Sequence, residues 1–142
     1  MASAEVSEVF PCSVEQFYKI VTDYEKYPEF LQEVKEIKIL KTEANKKLIE
    51  YKVSVMKDFK YSLWMTETSN LITWEFASGD IFKTMKGFWK LQDENGKCRA
   101  SYGLDATFGM LVPSPIAKAL VSVNLPNMIS SYQKRVAEIY GR

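Results

Sequence analysis

The sequence predicts an α+β fold: a curved antiparallel sheet of about seven strands around a long C-terminal helix, with two short helices after the first strand. Three observations predict it. Runs of polar–apolar alternation recur from Val34 to Phe108, which is the period of half-buried strands. Turn signals separate these runs, the strongest being Asn95-Gly96. After Pro113-Ser114-Pro115 the apolar spacing becomes helical and stays so to the C-terminus.

Each element follows in order. Residues 4–10 alternate and form a first strand that ends at Pro11. Ser13 and Gln16 fit the Ser-x-x-Gln capping box, and Val14, Phe17, Tyr18 and Val21 keep helix spacing, so a helix runs from there to about Asp23. Tyr27-Pro28 predicts a second short helix over 28–32, because proline is tolerated at a helix start. Ile37 and Ile39 share a strand face, as do Ile49, Tyr51, Val53 and Val55, and the stretch 42–47 turns between them. Phe59, Tyr61, Leu63 and Met65 form the next apolar face, followed by Ile72, Trp74 and Phe76 after a turn at Ser69-Asn70. A turn at Ser78-Gly79-Asp80 leads to a strand with Ile81, Met85, Trp89 and Leu91 on one face. Cys98, Ala100, Tyr102, Leu104, Ala106 and Phe108 make the cleanest alternating strand. Ile116, Leu120, Val123, Ile129, Tyr132, Val136, Ile139 and Tyr140 carry the final helix. At ~1.5 Å per residue that helix would span roughly 40 Å, and Pro126 would kink it. Hairpin-linked strands with one apolar face curve by twist, and the helix must cover that face.

The chain has 142 residues, the size of one domain spanning 1–142, without internal repeats or low-complexity linkers. Hydrophobic residues make up 46% and aromatic ones 13%, which implies either a bulky core or a cavity lined with rings. A net charge of +1, from 19 basic and 18 acidic side chains, gives no support to DNA or to an anionic membrane as partner. No apolar run approaches the ~18 residues of a membrane span, so no stable membrane insertion is expected. The Met-Ala-Ser-Ala start lacks the features of a signal peptide. Cys12 and Cys98 then read as free thiols in the cytoplasm, with a disulfide between them as the alternative. There is no histidine, which removes the commonest general base and transition-metal ligand. No metal, no cofactor and no catalytic residue is assigned.

The stretch Val21-Thr22-Asp23-Tyr24-Glu25-Lys26-Tyr27-Pro28-Glu29-Phe30-Leu31 resembles a segment of START-like proteins of the polyketide cyclase/dehydrase and lipid transport group. The resemblance continues at Phe82–Leu91, at Tyr102–Phe108 and at Tyr132–Tyr140, and so covers nearly the whole chain in order. It is nearest to the branch of coenzyme Q-binding and ribosome-association toxin proteins. The resemblance implies a helix-grip fold whose cavity, between sheet and long helix, takes lipids, quinones or polyketides. The sequence departs from that branch at Leu111–Pro115 and at Pro126, both where the cavity mouth is expected, so the branch's ligand does not carry over.

The residues expected to line such a cavity are Tyr61, Trp74, Phe76, Met85, Trp89, Tyr102, Phe108 and Tyr132. Taken singly, such a residue reads more readily as core, but as a set they make the kind of face from which pockets for apolar ligands are built. Tyr61 and Tyr102 are the candidate orienting groups, since a buried phenol wants a hydrogen-bond partner. Tyr27 and Lys83 are expected at the cavity rim, Tyr27 as part of a gate or simply of a structural turn. Alternation places Lys83 on the face of Met85 and Trp89, where it would snorkel or meet an acidic head group, and puts Lys86 and Lys90 on the solvent face. Asp105 falls on the solvent face too.

These features favour a binder or carrier of an apolar small molecule, with a cavity of several hundred Å³. The alternatives are a polyketide cyclase or dehydratase, which needs a carboxylate or paired tyrosines in the cavity, and a partner of the ribosome.

Overall fold

A computed structural model of the chain describes residues 2–55, 57–110, 112–118 and 124–141. The elements are β1 (Ala2–Phe10), α1 (Val14–Thr22), a 3-10 helix (Tyr24–Glu29), β2 (Val34–Glu43), β3 (Lys46–Val55), β4 (Lys57–Thr68), β5 (Leu71–Gly79), β6 (Phe82–Glu94), β7 (Lys97–Phe108), α2 (Ser114–Lys118) and α3 (Asn124–Tyr140). The strands form one seven-stranded sheet in the order β1-β7-β6-β5-β4-β3-β2, antiparallel throughout. Sheet, short helices and C-terminal helix are those expected from alternation.

The turns form where the sequence places them. Asn95 and Gly96 both take positive φ, 56° and 85°, which is the backbone of a tight hairpin turn. Asn70 does the same at 59° between β4 and β5. Between β2 and β3 it is Ala44, at φ 48°, that enters the left-handed region. At the start of α1, Ser13 Oγ accepts from the Gln16 amide and the Gln16 side chain accepts from the Ser13 amide, closing the capping box.

One expectation is corrected. The second short helix is not at 28–32 but is a 3-10 helix over Tyr24–Glu29 with Pro28 inside it. Pro28 disfavours α-helical backbone at Tyr27, and the tighter helix holds through Lys26 N–H to Asp23 O and Phe30 N–H to Tyr27 O, each 3.1 Å. Pro126 is the third described residue of α3. Residues 119–123, with the expected helix positions Leu120 and Val123, lie outside the described residues, as does Leu111.

One face of the sheet buries Ile49, Tyr51, Val53, Leu63, Met65, Ile72, Trp74, Met85, Trp89, Leu91, Cys98, Ala100, Tyr102 and Ala106. From the helical side, Phe17, Ile20 and Val21 of α1 and Ile129, Tyr132 and Val136 of α3 complete the core. Each large apolar side chain so buried contributes about 1.5–3 kcal/mol relative to exposure. Tyr132 is the hub, its ring 5.1–5.8 Å from those of Phe17, Phe30 and Trp89. Arg135, one turn further along α3, lies over the Phe30 ring and pairs with Glu29 at 3.0 Å, fixing the helix to the 3-10 segment. Among the described residues no helix is long and apolar enough to cross a membrane.

Candidate ligand-binding cavity

The sheet's apolar face and α3 do not close completely on each other. They leave a cavity of about 160 Å³, smaller than the several hundred expected. Its described walls come from every strand from β1 to β7, the 3-10 segment and α3. Aromatic rings set at differing tilts line this gap. Trp74 and Trp89 stand 5.4 and 5.0 Å from the Tyr102 ring, and Tyr51 stacks on Tyr61 at 5.3 Å. Trp74 reaches its place because its cross-strand neighbour is Gly87: a Cβ there would lie 2.4 Å from the indole.

The polar atoms of the cavity are mainly phenols. The Tyr27 hydroxyl donates to the Val21 carbonyl, one of the last carbonyls of α1. Tyr51 donates weakly to the Met65 sulfur at 3.4 Å. The Tyr132 hydroxyl approaches that of Tyr27. Tyr61 and Tyr102 make no hydrogen bond among the described residues, yet no buried side-chain polar atom is sealed off without a partner. Their hydroxyls therefore open on the cavity space. Burial pushes the phenols of Tyr27, Tyr51, Tyr61, Tyr102 and Tyr132 above their ordinary value, so they stand as neutral donors.

Glu33 is the charged residue in the described lining. It sits half-buried in the turn before β2, and its charge further raises Tyr61, Tyr102 and Tyr132. Sequence reading missed it, because a turn residue has no periodicity to reveal its direction.

Of the residues singled out from the sequence, Tyr61, Trp74, Met85, Trp89, Tyr102 and Tyr132 line the cavity, and Tyr27 lines it as a buried wall. Tyr27 sits within the 3-10 helix, its hydroxyl held by the Val21 carbonyl. Phe76 and Phe108 do not line it. They pack behind Phe82, whose ring is 6.2 Å from Phe76 and 5.2 Å from Phe108, and Phe82 takes their place in the wall. Lys83 is not at the rim. A β-bulge between Phe82 and Thr84 inserts it as an extra residue and turns it into solvent, which shifts the alternation by one. The charge beside the cavity is thus acidic, not basic. Leu31, Val34, Leu63, Met65 and Met128 also line it, Met65 and Leu63 on faces the alternation had already marked as apolar.

A larger depression, about 890 Å³, crosses the opposite face of the sheet. Glu5, Glu43, Glu75, Asp105, Lys46 and Lys86 line it, so it lacks the apolar character of the inner cavity. Cys12 and Cys98 are unpaired and buried; burial pushes Cys12 up to about 11 and Cys98 up to about 12, which leaves both as poor nucleophiles. Among the described residues, no group of three or more cysteine and carboxylate side chains comes together as a metal site.

This architecture is shared with known structures. A START superfamily protein from Mycobacterium smegmatis superposes with a TM-score of 0.85 at 20% identity, covering 96% of this chain and 98% of the other. A protein from Thermus thermophilus follows at 0.80 and 17%, covering 96% and 95%. The Zhui aromatase/cyclase from a Streptomyces species gives 0.72 and 13%, covering 96% and 84%. At these identities the likeness speaks for the fold, which is the helix-grip START fold. No curated protein matches the sequence. Residues 10–131 match the family model for polyketide cyclase/dehydrase and lipid transport, and the chain belongs to that family.

Proposed function

We propose that the protein binds and carries an apolar small molecule in the cavity between its sheet and α3. The observation that carries this reading is the wall itself: apolar and aromatic side chains around unfilled space, with the Tyr61 and Tyr102 hydroxyls making no hydrogen bond among the described residues. A dry cavity of about 150 Å³ accommodates one benzene, so the space as it stands fits a single ring. Met65, Met85 and Met128 in its walls are flexible and let it grow around something larger. Two unpaired buried thiols suit a reducing compartment, and we place the protein in the cytoplasm on that ground.

Native mass spectrometry of the purified protein, followed by solvent extraction, tests the reading. A co-purifying apolar species that is released on extraction supports it. A ligand-free protein that also fails to take up any single-ring compound would sink it.

The cyclase or dehydratase reading keeps one specific support. Glu33 and the neighbouring Tyr27 and Tyr132 hydroxyls supply a carboxylate and paired phenols, the groups an acid–base mechanism needs in the absence of histidine. Recovery of the extracted ligand with unchanged mass after prolonged incubation favours carriage. Conversion that stops in Glu33→Gln favours catalysis.

A further inference from the structure

The sheet does not close, so it ends in two edge strands, β1 and β2. An open edge presents a row of backbone N–H and C=O groups that another strand can pair with, and proteins that stay apart blunt it with bulges and lysines. β2 is blunted in this way. Its pairing with β3 breaks at two bulges, between Val34 and Glu36 and between Ile39 and Lys41, and it carries Lys35, Lys38 and Lys41. β1 is built differently. Its nine residues, Ala2 to Phe10, pair with β7 without a register shift, and they include no lysine, arginine or proline. Among the described residues no strand lies beyond it.

The two charges of β1, Glu5 and Glu8, decide how a second β1 can lie beside it. Two copies can run antiparallel about a two-fold axis centred on any one residue. Centring on Glu5 or on Glu8 sets like charges directly opposite, which is unfavourable. Centring on Val6 pairs the whole strand, from Ala2 with Phe10 to Val6 with Val6, and opposes Glu5 to Ser7 and Glu8 to Ala4. Centring on Ser7 also separates the acids but shortens the overlap. Ser7 is in addition where a positive charge sits. Arg99 of β7, held by Glu94 at 2.8 Å, reaches over the outer face and donates from Nη1 to Ser7 Oγ at 3.1 Å. Glu5 is exposed and makes no ion pair among the described residues. Centred on Val6, Glu5 of each copy comes beside the guanidinium on Ser7 of the other, so the edge is complementary to itself in charge at two symmetric places.

We propose that β1 is a dimerisation edge: two copies of the chain join their sheets through antiparallel β1 strands centred on Val6. Such a contact adds backbone hydrogen bonds with little apolar burial, so the dimer is weak, with a dissociation constant on the order of 10 μM.

Sedimentation equilibrium of the intact chain, from about 1 μM to about 1 mM, tests this, with a monomer–dimer equilibrium as the expected result. Glu5→Lys brings a lysine beside Arg99 of the second copy and should weaken the dimer about tenfold, since the substitution acts twice. Ser7→Glu sets a carboxylate opposite Glu5 of the second copy and should weaken it by a similar factor. The double variant restores opposite charges across the axis and should recover the parent affinity to within about threefold. Lys38→Glu, on the other edge, should leave the affinity unchanged. All three positions are exposed, and thermal unfolding checks that each variant folds. In the unaltered chain, amide exchange along β1 should slow several-fold as concentration rises through the dissociation constant, while that along β2 stays the same.

A chain that stays monomeric at about 1 mM, assembly that continues past the dimer, dissociation by Lys38→Glu, or a double variant no tighter than the single ones would each overturn the proposal. So would exchange in β1 that does not depend on concentration.

Discussion

Trp74 lies flat across Gly87 on the neighbouring strand, so close that a methyl group at Gly87 would stand 2.4 Å from the indole ring. The glycine is what lets the tryptophan reach over β6 and form the cavity wall. Gly87→Ala is therefore expected to lower stability by about 1–3 kcal/mol through overpacking. Urea unfolding measures this. Trp74→Leu should offset most of the loss in the double variant, because the two residues share one contact. An additive double variant would separate the two positions.

The tyrosines of the cavity are chemically alike but should behave differently on losing their hydroxyl. Tyr27 donates to the Val21 carbonyl at the end of α1, within the buried core. Tyr27→Phe is expected to cost about 1–3 kcal/mol by leaving that carbonyl without its donor. Tyr61→Phe removes a hydroxyl that makes no hydrogen bond among the described residues and should stay within about 0.5 kcal/mol of the parent. Comparable losses in both variants, read from urea midpoints, would contradict the assignment of hydrogen bonds.

Alkaline stability follows from the same side chains. Burial raises Cys12 and Cys98 from 9.0 to about 11 and about 12. It is also the largest cause that raises Tyr24, Tyr27, Tyr51, Tyr61, Tyr102 and Tyr132 above 10.0. A group whose folded value is raised stabilises the fold fully below its unfolded value and loses that contribution as pH rises toward the folded one. In the unfolded chain the thiols ionise first, then the phenols. Stability should thus decline from about pH 9 and fall more steeply above pH 10, by about 1.4 kcal/mol per pH unit for each group ionised only in the unfolded chain. Urea midpoints that stay constant to pH 11 would refute this.

Ala44 occupies a left-handed conformation, φ 48°, in the turn between β2 and β3. The conformation costs an L-residue about 1–2 kcal/mol, and glycine gives back about half of that in chain entropy. Ala44→Gly is expected to stabilise the protein by about 0.5–1 kcal/mol. Thermal unfolding should show a small upward shift; a downward one would place the strain elsewhere.

The sheet was legible because a half-buried strand writes its burial into every second residue. Met85, Trp89 and Leu91 were assigned to the apolar face on that basis, and they are buried. The same logic failed at Lys83, since a bulge adds one residue and reverses the faces beyond it without changing composition. Phe76 and Phe108 have the inward parity but sit near the strand ends, past the cavity, a distance that alternation does not encode. Glu33 was invisible for the opposite reason: it lies in a turn, where direction depends on the path of the chain between a 3-10 helix and β2. The 3-10 helix itself differs from the short helix expected by only a few residues, but Pro28 stands inside it instead of at its start. The space between sheet and α3 depends on how rings tilt against each other, so its volume came out below expectation.

The strand order has a consequence in time. Strands β2 to β6 each pair with the next strand in the chain, so their hairpins need only short loops to close. β1 is different: Ala2 pairs with Ala106 and Phe10 with Cys98. Non-local pairing of this kind is slow, because the intervening chain must be gathered first. On the ribosome, β1 emerges first and waits for its partner until nearly all other strands have been made. Its native backbone partners are therefore among the last strand residues to be made, and pairing with β7 closes the longest loop between neighbouring strands of the sheet.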